Sequence, residues 1–331
     1  MSYRFKLQET IAEGVRRIGL EQIEIAETKL AGNDNVAASI HDARRCLKRV
    51  RALIRLVRPA LGEDLYRQET ERLARIGRLL ADARDQHVMQ QTLTKLEHRF
   101  GTMPSNTAKR LQRLIATGSG GGKRRAADGR RPALVGLRKA RKLFSAARIE
   151  STEFEHVTDG LERAYRKARR SFRKAYGEPG DETFHALRKT AQLHWRHMQL
   201  LSGGWPEALQ ARAHEARELS RLLGEDHDFA VLHTFINGRA ASILAPEVLA
   251  MLTSRCVACQ SELRERAQPH GERLFAEPAE NLSSRVAHYW SAAQRIANRT
   301  SNNEGAQRPE ASSAVMKPLG AAKYRSRRSR Q

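Results

Sequence analysis

The chain is short of aromatic residues, of cysteine and of acids, and each shortage narrows what it can do. Phe, Trp and Tyr make up 5% of its 331 residues, few for the stacking platforms on which nonspecific single-strand binders lay bases. Three cysteines, an odd number, fit a reducing compartment, and Cys256-Val-Ala-Cys259 has no second CxxC or CxxH pair to complete a zinc site. No metal or other cofactor is therefore expected. No stretch approaches the roughly 18 uninterrupted apolar residues of a membrane span, and the opening MSYRFKLQET lacks the apolar core of a signal peptide. The expected location is the cytoplasm, with no membrane partner. Alternating β-branched runs are missing as well, which removes strands from the expected fold.

The shortage of acids leaves 60 Lys and Arg against 37 Asp and Glu, a net charge of +23. Residues 299–331, rich in Ser, Asn, Gly and Arg, carry +6 of it and read as a basic disordered tail, so +17 stays on the rest. Such a surplus repels itself unless a polyanion neutralises it. Nucleic acid, an anionic membrane surface and inorganic phosphate polymers are the candidates. Hydrophobic residues at 40% suffice for a core or two, and a mean hydropathy of −0.63 indicates a wet surface.

What is present is helical periodicity. In 40–57 the residues Ile40, Ala43, Leu47, Val50, Ile54 and Val57 form one apolar stripe. Segments 5–30, 65–100, 133–147, 155–176, 207–237, 246–268 and 282–298 read the same way, and short joins between them favour antiparallel bundles. The main interruption, 117–132 (TGSGGGKRRAADGRRP), reads as a Gly/Arg-rich linker or long exposed loop between a first half, 1–116, and a second, 133–298.

Across that interruption the sequence repeats. A shift of 144 residues lays Phe184, Leu187, Ala191, His194, Met198 and Leu201 on the stripe of 40–57, and His185, Arg188 and Lys189 on His41, Arg44 and Arg45. Farther on, Leu79-Leu80-Ala81-Asp82-Ala83-Arg84-Asp85 aligns with Leu222-Leu223-Gly224-Glu225-Asp226-His227-Asp228 after a one-residue deletion. Two blocks in the same order at nearly the same separation indicate two related helical bundles from a duplication.

Opposite the apolar stripe lies a column of cations. His41, Arg45, Lys48 and Arg55 share a direction, with Arg44 and Arg51 flanking them, over about 21 Å of helix. The second copy keeps His185, Arg188, Lys189 and Arg196, while Gln192 and Gln199 dilute its charge. A further basic face, Arg163, Arg166, Lys167, Arg170, Arg173 and Lys174, backs onto Leu161, Tyr165, Ala168, Phe172 and Tyr176. Cations merely solvating an exposed face are the common explanation for such columns. A solvated face normally mixes signs at i,i+4, yet 41–58 holds one acid, Asp42. A polyanion-binding role explains that bias better.

The two block-heading histidines can cap or pack at a bundle end, or they can serve function; their recurrence favours function. Beside so many cations an imidazolium is disfavoured until an anion arrives, so proton and ligand binding should be coupled. His194 and His197, without a third ligand, are expected to pack. Asp82, Asp85, Glu225 and Asp228 are expected to hold guanidinium groups in position rather than a metal.

The element from His41 to Arg51, its echo from His185 to Lys189 and the two Leu-Leu-(Gly/Ala)-(Asp/Glu)-x-x-Asp turns resemble the CHAD family, named for an α-helical domain with characteristic histidines. Gly271-Glu-Arg-Leu-Phe275 and Arg285-Val-Ala-His-Tyr-Trp290 are similar to its closing region, so the resemblance spans roughly 5–298. It implies an all-α fold of two four-helix bundles related by a pseudo-two-fold repeat, with basic helices around a central cleft or pore. It also implies inorganic polyphosphate as ligand and association with polyphosphate granules. Some members are fused to a triphosphate-tunnel domain, whose Glu-x-Glu-x-Lys strand motif is not found here. The expected function is non-enzymatic polyphosphate binding, with nucleic-acid binding by the same faces and tail as the alternative. A phosphate-transfer enzyme finds no support, because the glycines at 118–122 before Lys123 lack the spacing and hydroxyl of a phosphate loop.

Overall fold

The computed structural model describes residues 3–32, 35–80, 82–101, 103, 105–117, 122–146 and 154–306. Every regular element among them is helical: α1 (Ile11–Ala31), α2 (Val36–Leu56), α3 (Arg58–Leu61), α4 (Glu63–Leu79), α5 (Asp82–Phe100), α6 (Ser105–Thr117), α7 (Gly122–Ala146), α8 (Glu155–Gly177), α9 (Asp181–Leu201), α10 (Pro206–Asn237), α11 (Pro246–Phe275) and α12 (Ala279–Ala306). Residues through Gln294 form one compact unit, and Arg295–Gln331 form a second, whose described part is the end of α12. Most of the basic tail lies outside the described residues.

The starts of several helices are written in the sequence. Thr10 and Glu13 make a capping box at α1, each side chain accepting the other's backbone N–H (3.2 and 2.8 Å). Asn35 caps α2 by accepting from the Ala38 N–H at 3.1 Å. Pro206 and Pro246 open α10 and α11, where a missing N–H costs nothing.

Eight of these twelve helices trace two rings of four through their contacts. In the first, α1 packs on α2, α2 on α4, α4 on α7 and α7 back on α1; in the second, α8, α9, α10 and α11 follow one another round and close on α8. The expected boundary is corrected by this arrangement. Helix α7 begins at Gly122, within the segment read as a linker, and it completes the first ring rather than opening the second half. Its glycines are packing residues: a Cβ on Gly129 would lie 2.1 Å from the Leu79 carbonyl oxygen, and one on Gly136 2.7 Å from Ile76 Cγ1. Its apolar face, Ala133, Leu137, Ala140 and Phe144, is buried.

The rings meet where α2 packs against α8 and α9, α3 against α8, and α5 against α10. Gly160 permits the closest approach, because a Cβ there would fall 1.7 Å from the Leu56 carbonyl oxygen. At the α2–α9 crossing, buried His197 donates through Nε2 to the Ala52 carbonyl at 3.1 Å. Burial pushes its pKa down to about 3, so the ring is neutral. His194 is buried too, and its Nε2 accepts from Arg212 Nε at 3.1 Å. Both histidines pack, as expected. Lys95 of α5 reaches Glu225 of α10 at 3.2 Å, and Arg99 pairs with Glu262 of α11.

A cation-lined cleft as the candidate site

Between the rings lies a cleft of about 1090 Å³, walled by α2, α8, α9 and α10, with Arg58 and Tyr66 also in its lining. Ten Lys and Arg residues line it against two acids, Glu182 and Asp228. Each helix contributes through its own periodicity. Helix α2 turns Arg44, Lys48, Arg51 and Arg55 into the cleft, while its buried side carries Ile40, Ala43, Leu47, Val50, Leu53 and Ile54. Helix α9 contributes His185, Arg188, Lys189, Gln192 and Arg196.

Not every expected residue arrives there. His41 and Arg45 lie outside the lining, with His41 exposed and Arg45 paired to Asp42 at 3.3 Å. On α8 the cleft takes Gly160, Arg163, Ala164, Lys167 and Ser171, which follow one another at helical spacing. Arg166, Arg170, Arg173 and Lys174 lie outside the lining, at exposed positions. There Arg166 pairs with Glu162, and Lys174 with Glu178 at 3.8 Å. Only part of the basic face of α8 thus meets the cleft.

Several cations in the cleft are held under electrostatic stress. Arg196 is only 5% exposed, and burial lowers its pKa to about 10, still well above neutrality. Its Nη1 donates to the Gln192 carbonyl at 2.8 Å, and its guanidinium lies 4.9 Å from the Trp195 ring centre. Arg51 is half-buried, its Nε has no hydrogen-bond partner, and burial followed by the Arg55 charge lowers its pKa. Arg44 is anchored by donating to the Gly77 carbonyl at 2.9 Å. Arg188 lies against Gly224, its Nε 3.8 Å from where a Cβ would sit. By contrast Arg58 is already answered: Nε and Nη2 donate to Glu63 Oε2 at 3.0 and 2.8 Å, and the guanidinium covers Tyr66 at 4.5 Å.

The carboxylates divide differently from expectation. Glu225 does hold cations, Arg221 at 2.7 Å besides Lys95. The deeply buried acid is its neighbour Asp226, bonded to Arg264 Nε at 2.7 Å, and Arg264 also reaches Asp181 at 2.7 Å. Asp228 lines the cleft, while the side chains of Asp82 and Asp85 lie outside the described residues. Among the described residues, no group of three or more His, Cys, Asp or Glu is placed to hold a metal ion. Cys256 and Cys259 are buried, and burial raises the Cys256 thiol to about 12.

Sequence reasoning missed Arg58, Tyr66, Glu182 and His227 in the lining. His227 was in view, since it stands inside the repeated Leu222-to-Asp228 block. Its ring stacks on His185, with centroids 4.1 Å apart and planes inclined by 26°. The CHAD domain model matches residues 18–237, well over half of the chain. The chain belongs to the CHAD family. The match takes in α2, α8, α9 and α10, so every wall of the CHAD cleft falls within it, whereas α11 and α12 lie beyond. No curated protein matches the chain. No described helix is long and apolar enough to cross a membrane.

Proposed function

We propose that this CHAD protein binds inorganic polyphosphate in the cleft, as a binder and not an enzyme, and that it works in the cytoplasm on polyphosphate granules. One observation carries the reading: ten Lys and Arg against two acids in a single cleft whose lining holds one Phe, Tyr or Trp residue, Tyr66. A phosphate chain offers closely spaced anionic oxygens and no bases. Its binder therefore needs forked guanidinium donors and ammonium charges, and it gains little from stacking surfaces. Arg51 and Arg196, both shielded from water and lacking an ion pair among the described residues, are the donors an anion would satisfy best. In this reading the two rings are the copies of a duplicated four-helix bundle, related by a pseudo-two-fold axis near the cleft.

A competition titration tests it. Labelled polyphosphate bound to the protein is challenged with unlabelled polyphosphate, single-stranded DNA or duplex RNA at equal phosphate concentration. Polyphosphate should displace the label and the nucleic acids should not. Displacement by nucleic acid at the same phosphate concentration would transfer the cleft to the nucleic-acid reading. Unchanged polymer length after long incubation with Mg²⁺ is the outcome expected of a binder, and shortening would make the protein an enzyme.

A further inference from the structure

The stacked histidines are the part of the cleft that neither net charge nor the fold explains. His185 and His227 come from different helices, lie 4.1 Å apart ring to ring, and both line the cleft. His185 Nδ1 is buried without a hydrogen-bond partner, which leaves Nε2 as the nitrogen able to meet a ligand oxygen. We infer that His185 and His227 act as one unit that takes up a proton as a phosphate chain enters, so the loaded cleft carries a charge that the empty one lacks. This rests on the polyphosphate reading and adds regulation to that same site.

The surroundings fix the direction. On α9, Arg188 and Lys189 bear on both rings, and with burial as the larger cause they lower both pKa values, that of His227 to about 4. Asp181, at the start of α9, pulls the other way on His227, but it is bonded to Arg264 and Gln260 of α11, which blunts its pull. Glu182 and, on α10, Asp228 are the acids in the same cleft. Arg44 and Lys48 of α2 and Lys167 of α8 add positive charge from the facing walls. The described α5 residues in the lining, Val88 and Met89, are apolar. The empty cleft therefore keeps both rings neutral near pH 7.

A bound polyanion reverses the largest of these influences after burial. Its negative charge offsets Arg188 and Lys189 and offers an acceptor oxygen to an imidazolium N–H, so the pair's affinity for a proton rises. The proton comes from solvent and lands on a ring nitrogen. Two charged rings in stacking contact repel, so the pair takes about one proton, shared as a macroscopic property of both. The sign follows from linkage. The complex holds more protons than the free protein, so affinity rises as pH falls, in the window between the pair's free and bound pKa values, and levels off outside it.

Calorimetric titration of the full chain with medium-length polyphosphate, in buffers of different ionisation enthalpy, reads the proton directly. Near pH 6 we expect net uptake of up to about one proton per cleft and an affinity about fivefold higher than at pH 8. The variant His185→Gln/His227→Gln should lose the uptake and flatten the pH dependence, whatever its remaining affinity. Binding without uptake by the native chain, or uptake that persists in the double variant, overturns the histidine proposal and leaves the polyphosphate reading standing. No binding at any pH overturns both. The native measurement stands alone should the variant fail to fold.

Discussion

Helices α2 and α9 open with the same block, His41-x-x-Arg44-Arg45 in one and His185-x-x-Arg188-Lys189 in the other, yet they meet the cleft differently. The lining takes α2 from Arg44 to Arg55 and α9 from Glu182 to Arg196. The lining thus lies nearer the C-terminal end of α2 and nearer the N-terminal end of α9. Where α2 presents Lys48 and Arg55, the equivalent residues of α9 are Gln192 and Gln199. Where α2 buries Val50 and Leu53 in its core, α9 buries His194 and His197. One helix offers permanent charge; the other offers fewer charges beside histidines whose state depends on their neighbours. Two helices with the same opening block divide its chemistry.

The most severe way to break this comparison is to reverse charge at a position both helices share. Arg44 and Arg188 are equivalent, and both line the cleft. Arg44→Glu with Arg188→Glu removes two charge-assisted contacts, each worth about 1.5–3 kcal/mol, and adds repulsion, so affinity should fall by at least about 100-fold. Fluorescence anisotropy with labelled polyphosphate reads this, and circular dichroism checks that the helices remain. A loss no greater than tenfold would mean that the chain of phosphates runs elsewhere.

A second experiment makes α9 more like α2 in its core. His197→Leu installs the residue type that α2 has at Leu53, the equivalent position. Native His197 has a folded pKa of about 3 against 6.5 for the free side chain, so its neutral form is favoured by folding. That contribution is present above pH 6.5 and is lost as pH falls towards 3, because the unfolded chain binds the proton first. Leucine cannot take the proton. The variant should lose about 1–2 kcal/mol at pH 7, from the unmade bond to Ala52, and should lose less stability on acidification than the native chain. Denaturant melts at several pH values test it, and parallel curves for the two proteins would contradict the assignment.

A gentler change restores charge. Gln192 lines the cleft at the position equivalent to Lys48, and its backbone carbonyl, not its side chain, is what Arg196 uses. Gln192→Lys should tighten polyphosphate binding about two- to fivefold at low salt, with the gain shrinking as salt is added. A gain that salt leaves untouched would point to a shape effect instead of charge.

How much of this was legible follows from what each signal reports. Periodicity reports one helix at a time, so the apolar stripe of α2 and its cationic back were readable from Ile40 to Val57. Relations between helices were not. The sequence pattern places Arg163 and Arg170 on one basic face of α8, but which part of that face meets the cleft depends on where α2 packs, and that is governed by the Gly160–Leu56 approach. The misplaced boundary has a similar origin. Gly129 reads as a breaker within 117–132, although it is small because the Leu79 carbonyl lies within reach of a Cβ. The repeat itself held the remedy: carrying the 144-residue shift back to the start of α1 at Ile11 leads to Glu155, where α8 begins. His227 is hidden by its company, since the acids of the Leu222-to-Asp228 block carry the repeat.

The smallest effect is expected from the C-terminal tail, and it decides what the net charge means. Residues 299–331 carry +6, and Arg325, Arg327, Arg328 and Arg330 supply most of it. Changing all four to Gln removes more positive charge than changing Gln192 to Lys adds. Charges that approach a polymer in open water, at a separation beyond about 8 Å, are largely screened at physiological salt, whereas those in a shielded cleft are screened much less. The tail variant should therefore bind within about twofold of the native chain at physiological salt, and its deficit should grow only when salt is lowered. Association rates should move more than dissociation rates if the tail charge steers encounter without holding the complex. A loss matching that of the Arg44/Arg188 double reversal would place affinity in the sum of charges; a loss confined to low salt and to the association rate places it in their arrangement along α2 and α9.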